Sequence, residues 1–184
     1  MHKVYCVLGR TASGKSTIVK ETAKDMNMNI LKSYTTREMR NNETVQNSDH
    51  IFITDKEVDK YRNDMIAYTD RVGYCSFATK NQLFENDFYI INPNGYKDLL
   101  EATKDIKDIQ LISIMITVPY AENVKRAKKR GDYKNWLENY IAEDDEFHDF
   151  QKSGLIHYYL LNNGSIKDSV KKMINIIEKE KEKS

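Results

Sequence analysis

Hydrophobic and polar positions along the chain follow two different periods. Short runs rich in β-branched and aromatic residues lie at residues 4–8, 88–92 and 111–118, and each is followed by apolar residues at helical spacing, beginning near Lys15, Gly95 and Tyr120. Continuous apolar runs suit strands buried on both faces. Strand–helix alternation of this kind builds a largely parallel sheet with helices on both sides, so the predicted fold class is α/β. Between residues 30 and 79 the pattern changes to short extended pieces at 31–36, 51–54, 66–72 and 75–79, with one predicted helix at 55–62. This reads as a small mixed insert on the main sheet. Near the end, Ile166, Val170, Met173, Ile174 and Ile177 share a helical face, and a charged Glu180-Lys181-Glu182-Lys183-Ser184 follows. A docked last helix with a frayed end is expected.

Composition narrows the setting without naming a chemistry. The 184 residues, 31% charged and 40% hydrophobic, suit one domain with a substantial core, and the 2 prolines and 7 glycines mark no internal linker. Lys and Arg number 29 against 28 Asp and Glu, so overall charge argues for neither a nucleic-acid nor a membrane-surface partner. Two cysteines, Cys6 and Cys75, show no disulfide framework or metal spacing, which fits a reducing, cytoplasmic compartment. The apolar run before Gly9 is too short for a signal peptide or a membrane span, so export is not expected.

The most specific local signal is Gly9-Arg10-Thr11-Ala12-Ser13-Gly14-Lys15-Ser16, a full match to G-x-x-x-x-G-K-[ST] between a predicted strand and a predicted helix. Glycines at both ends let the backbone turn its N–H groups inward toward phosphate oxygens, and the helix N-terminus adds positive potential. Lys15 can then supply a mobile charge to the β- and γ-phosphates, and the Ser16 hydroxyl can ligate Mg²⁺. The bland alternative is a tight turn with an incidental lysine. Further on, Arg37 and Arg40 stand three apart, with Glu43 three beyond. They form either a two-sided guanidinium clamp for a phosphate monoester or a solvated turn. The basic cluster at residues 125–130 has a solvated helix face as its bland alternative, and the acidic run at 143–146 reads most simply as such a face.

Taken in order, these residues resemble the guanylate kinases, P-loop nucleoside monophosphate kinases. Ser33-Tyr34-Thr35-Thr36-Arg37-Glu38-Met39-Arg40-Asn41-Asn42-Glu43 is similar to the family's S-x-T-T-R-x-x-R-x-x-E signature. Asp49-His50-Ile51-Phe52 stands where the family has D-Y-x-F, and Phe77-Ala78-Thr79 where it has Y-G-[ST]. Lys125 to Gly131 resembles its basic lid helix, and Tyr158 to Asn163 the strand carrying V-x-N-D. The resemblance implies a three-layer P-loop NTPase fold with a parallel sheet core (1–29, 80–125 and 150–184), an NMP-binding insert at about 30–79 and a helical lid at about 126–149.

The activity it implies is transfer of the ATP γ-phosphoryl to GMP or dGMP, with Mg²⁺ accompanying ATP. Lys15, Arg37 and Arg130 would be catalytic. Gly9, Ser13, Gly14, Lys15, Ser16, Thr17, Arg126 and Asn162 would bind ATP, and Ser16 the metal. The acceptor would meet Ser33, Arg37, Arg40, His50, Asp70, Thr79 and Asn92. Nucleotides are the expected partners, with no nucleic acid or membrane, for a monomer or homodimer. Five departures are visible. His50 and Phe77 replace tyrosines, Ala67 and Asn92 stand where acidic residues are expected, Asp70 is the nearest substitute for the carboxylate missing at Ala67, and the helix after Gly131 has no arginine. They leave open a related kinase with another nucleotide or a ribosyl-phosphate acceptor, and a non-catalytic guanylate-kinase-like module that binds a phosphorylated peptide.

Overall fold

The most continuous apolar run of the chain, Val4-Tyr5-Cys6-Val7-Leu8, is buried throughout and forms most of β1 (His2–Leu8), the middle strand of a five-stranded sheet. The computed structural model describes residues 1–39, 43–71 and 73–183. From β1 the chain passes through α1 (Lys15–Met26), β2 (Ile30–Leu31), β3 (Ser33–Thr35), β4 (His50–Phe52), the single-turn α2 (Asp55–Val58) and a 3-10 turn (Asp59–Tyr61). It continues with β5 (Met65–Arg71), β6 (Tyr74–Thr79), α3 (Lys80–Glu85), β7 (Phe88–Ile90), α4 (Pro93–Thr103) and β8 (Ile109–Thr117). The last elements are α5 (Tyr120–Arg130), α6 (Tyr133–Ala142), α7 (Asp144–Lys152), β9 (Tyr158–Leu161) and α8 (Ile166–Glu182).

The main sheet runs β2-β7-β1-β8-β9 and all its pairings are parallel. Its two faces explain the apolar run, because alternate side chains of β1 enter different cores. Tyr5 and Val7 pack with Ile18, Val19 and Ala23 of α1 and Met173 and Ile177 of α8, whereas Val4, Cys6 and Leu8 pack with Tyr96 and Leu99 of α4 and Phe147 and Phe150 of α7. The result is a three-layer α/β architecture. A second sheet, β4-β3-β6-β5, is mixed, with β3 and β4 parallel and the other pairs antiparallel. Among the described residues no helix is long and apolar enough to cross a membrane.

Three local expectations change. Residues 31–36 do not form one strand: β2 joins the main sheet and β3 the mixed one, and between them the Lys32 carbonyl accepts a hydrogen bond from the Gln82 side chain instead of a ladder partner. The helix expected at 55–62 is one α turn followed by a 3-10 turn, started by a reciprocal cap between Thr54 and Glu57. The tail does not fray at Glu180. Only 5% exposed, Glu180 accepts from the Tyr158 hydroxyl and lies 3.8 Å from the Lys3 ammonium, which carries α8 on to Glu182.

Candidate active site

The loop between β1 and α1 has a shape that only its sequence allows. Gly9 sits at φ +154°, and a Cβ there would lie 2.7 Å from the Ile116 carbonyl and 2.8 Å from Ser13 Oγ. Gly14 caps α1 at φ +91°, where a Cβ would meet Asn162 Nδ2 at 2.6 Å. No side chain caps α1 and its first turn holds no acidic residue, so its terminal N–H groups and partial positive charge face the loop. The Ser13 hydroxyl is buried in the loop without a hydrogen-bond partner. The Lys15 ammonium folds over the loop, donating to the Gly9 carbonyl and, at 3.1 Å, to the Arg10 carbonyl. Burial pulls its pKa down to about 8, and the carboxylates of Glu143 and Asp49 oppose that shift. Ser16 Oγ donates to Asp49 Oδ2 at 2.5 Å. A cradle that any Cβ would fill, an orphaned hydroxyl and a desolvated cation together fit a polyphosphate, and hydroxyl and carboxylate oxygens fit the hard cation that travels with it.

Other elements clamp this loop in place. Asn162, fully buried at the end of β9, donates to the Ser13 carbonyl at 2.8 Å and accepts from Ser169 at 2.9 Å. Asn162→Ala is expected to lower stability by about 1–3 kcal/mol, because it strips a buried carbonyl and a buried hydroxyl of their partner; urea denaturation reads this directly. On the other side, Trp136 Nε1 and Asn123 Nδ2 both donate to the Thr11 carbonyl at 3.3 Å. The Arg10 guanidinium lies 4.4 Å from the Tyr140 ring centroid and pairs with Asp144 at 2.6 Å. Glu143 Oε2 accepts from the Thr11 backbone N–H at 3.2 Å.

Facing the loop across a cleft of about 350 Å³ is the mixed sheet. Lys15, Ser33, Arg37, His50, Asn92 and Arg130 all line this one cleft. Arg37 meets Glu43 fork to fork, Nη1 to Oε2 and Nη2 to Oε1 each at 2.9 Å, and its guanidinium lies 5.4 Å from the Phe52 ring centroid. Ser33 Oγ and His50 Nδ1 are hydrogen-bonded at 2.9 Å. At the far end Ala67, Thr69, Tyr74 and Ser76 form the wall, with the Ser76 hydroxyl donating to Thr35 Oγ1 at 2.9 Å.

No family model matches the chain, and no curated protein matches it in sequence. Among solved structures, the guanylate kinase from Anaplasma phagocytophilum aligns with 97% of this chain and 86% of its own, with a TM-score of 0.64 and 18% identity. The chain shares its fold with that protein. At such low identity the likeness carries the P-loop kinase architecture and nothing finer.

Within this fold, several residues expected at the site lie elsewhere or are engaged by other partners. Thr79 is not in the cleft: its hydroxyl caps α3, accepting from Gln82 N at 3.3 Å. Asp70 faces away from the cleft, into a shallow surface depression shared with Asp55 and Arg62. Asn92 reaches the cleft wall, but its side-chain oxygen is engaged by Gly95 N at 2.6 Å as the cap of α4. Thr17 is exposed on α1. Arg126 pairs with Glu122 at 3.2 Å and donates to the Asn162 carbonyl at 3.1 Å, and Arg130 pairs with Asp132 at 2.7 Å. Arg40 lies outside the described residues. The acidic run is not a merely solvated face, since Glu143 and Asp144 grip the phosphate loop and Glu146 accepts from Asn94 N at 3.0 Å. Tyr74 and Ser76 went unnoticed although the two-residue period of β6 sets them opposite Cys75 and Phe77; Phe77 is buried against Tyr34, ring centroids 5.3 Å apart.

Proposed function

We propose that the chain is an ATP-dependent nucleoside monophosphate kinase, with GMP or dGMP as the leading acceptor. The observation that carries this reading is the cleft itself, where the Lys15 cradle and the Arg37 fork face one another. A triphosphate held on the loop and a monophosphate held on the mixed sheet would present reacting oxygens to each other, and phosphoryl transfer is mainly positioning and charge neutralisation. An ionised oxygen of the acceptor phosphate attacks the γ-phosphorus as the bond to the β–γ bridging oxygen breaks, so ADP leaves and no general base is required. Lys15 and the loop N–H groups stabilise the leaving side, Arg37 orients the acceptor, and Arg130 supplies charge at the transferring group. Ser16 would hold Mg²⁺, which when bound neutralises charge on the β- and γ-phosphate oxygens. In this reading residues 30–79 close over the acceptor and residues 126–149 close over both substrates.

A second acceptor is favoured by one observation. Guanine offers two N–H groups that an ionised carboxylate would read best, and the wall formed by Ala67, Thr69, Tyr74 and Ser76 contains none. A coupled ADP-release assay with MgATP against GMP, dGMP, AMP, CMP, UMP and dTMP at equal concentration tests both readings. Turnover with GMP or dGMP alone supports the first, and turnover with another monophosphate assigns the neutral wall to a different base. Bound ATP with no turnover across the panel would sink the NMP-kinase reading in favour of an acceptor outside the panel or a binding module.

A further inference from the structure

Magnesium that travels with a triphosphate takes six oxygens, commonly one or two carboxylates besides phosphate and water. Ser16 provides a hydroxyl but no charge. Asn92, which follows the strand beside β1 and lines the same cleft, carries no charge, and its side-chain oxygen is already bonded to Gly95 N. Among the described residues no group of three or more His, Cys, Asp or Glu side chains is placed to hold a metal ion. One carboxylate does touch the cradle: Asp49, the residue before β4, accepts from Ser16 Oγ at 2.5 Å through Oδ2 and pairs with Lys20 Nζ at 2.7 Å through Oδ1.

We propose that Asp49 is the carboxylate that fixes Mg²⁺ at the phosphate loop, delivered by the mixed sheet rather than by the main one. The proposal rests on the ATP-binding reading above. A hydroxyl that ligates a cation turns its lone pair to the metal and its proton to an acceptor, and Asp49 is already that acceptor for Ser16. The buried, unpartnered Ser13 hydroxyl in the same loop points independently to a polar ligand there. The placement has a consequence for coupling. His50, the next residue, lines the acceptor cleft and bonds Ser33, so adjacent positions of one chain segment serve the metal and the acceptor sides. MgATP would therefore steady the acceptor-binding sheet through Asp49.

Calorimetric titration of the full chain with AMP-PNP, in excess Mg²⁺ and separately in EDTA, tests this without turnover. Wild-type protein is expected to bind at least about tenfold more tightly with Mg²⁺. Asp49→Asn keeps the size of the side chain and a hydrogen-bond acceptor for Ser16, and should reduce that gain to about twofold or less with EDTA affinity unchanged or improved. Asp49→Glu, which restores the charge, should recover most of the gain. A melting curve of each variant establishes that it is folded. Asp49→Asn that keeps the full Mg²⁺ gain overturns the proposal, as does wild-type binding that Mg²⁺ does not improve. Failure of wild-type protein to bind AMP-PNP in either condition instead removes the ATP-binding reading on which the proposal stands.

Discussion

Lys15→Ala should cut phosphoryl transfer by at least about a thousandfold in kcat/KM while leaving the fold intact, since the change removes the loop's mobile cation from the place where charge develops. Steady-state ADP release and a melting curve on the same preparation measure both halves of that statement. The fold should survive because Lys15 is held by carbonyl contacts to Gly9 and Arg10 and not by the core. Its pKa, drawn from the usual 10.5 down to about 8 by burial, makes the effect on stability specific in sign. Between those two values the unfolded chain holds a proton that the folded chain has released, so folded stability rises with pH across that window. Below pH 8 the buried ammonium is charged and that gain is absent. Lys15→Ala should therefore flatten the rise between about pH 8 and 10.5 and should not destabilise the protein at pH 7. The phosphates of ATP restore the ammonium, so ATP binding above pH 8 should take up a proton and weaken as pH rises. Calorimetry in two buffers of different ionisation enthalpy counts that proton. Wild-type turnover by Lys15→Ala would overturn the assignment.

What the sequence disclosed about this region follows the range of each signal. The phosphate loop is a contiguous string whose glycines answer to local backbone geometry, and the double-faced burial of β1 shows as an unbroken apolar run, so both can be read without knowing their neighbours. The wall of the cleft is different. Between Ile66 and Thr69 the pairing of β5 with β6 slips by one residue, and Ala67 adopts φ +53°. Ala67 and Thr69, two residues apart, both line the cleft, and Asp70 falls on the other side, so the carboxylate offered as a substitute for Ala67 does not share its face. Thr79 misled for another reason, because the same hydroxyl serves equally as a base contact or as a helix cap, and Gln82 three residues on marks the cap. The grip of Glu143 and Asp144 on the loop was beyond reach of any local pattern, since Arg10 and Asp144 are 134 residues apart. A run of acids shows its charge in sequence but not the cation it faces.

Arg37→Ala is expected to raise the acceptor KM by about a hundredfold with the ATP KM nearly unchanged, as charge-assisted hydrogen bonds to a phosphate contribute about 1.5–3 kcal/mol each. The argument turns on how the guanidinium is held. Its side chain is 13% exposed, its two terminal nitrogens meet both oxygens of Glu43, and it lies over Phe52. A fork fixed this way loses little freedom on meeting a phosphate and still has donors to offer, because guanidinium carries five N–H bonds, of which the Glu43 carboxylate uses two and the Glu38 carbonyl one. Arg37→Lys should for that reason recover only part of the loss: the charge returns, but a flexible ammonium lacks the planar fork that serves Glu43 and two phosphate oxygens together. Steady-state kinetics with acceptor varied at saturating MgATP separates these outcomes, and melting curves of both variants exclude unfolding as the cause. An acceptor KM that Arg37→Ala leaves unchanged would detach the acceptor phosphate from the mixed sheet and shift it toward Arg130, whose 2.7 Å pair with Asp132 is half exposed and easily opened.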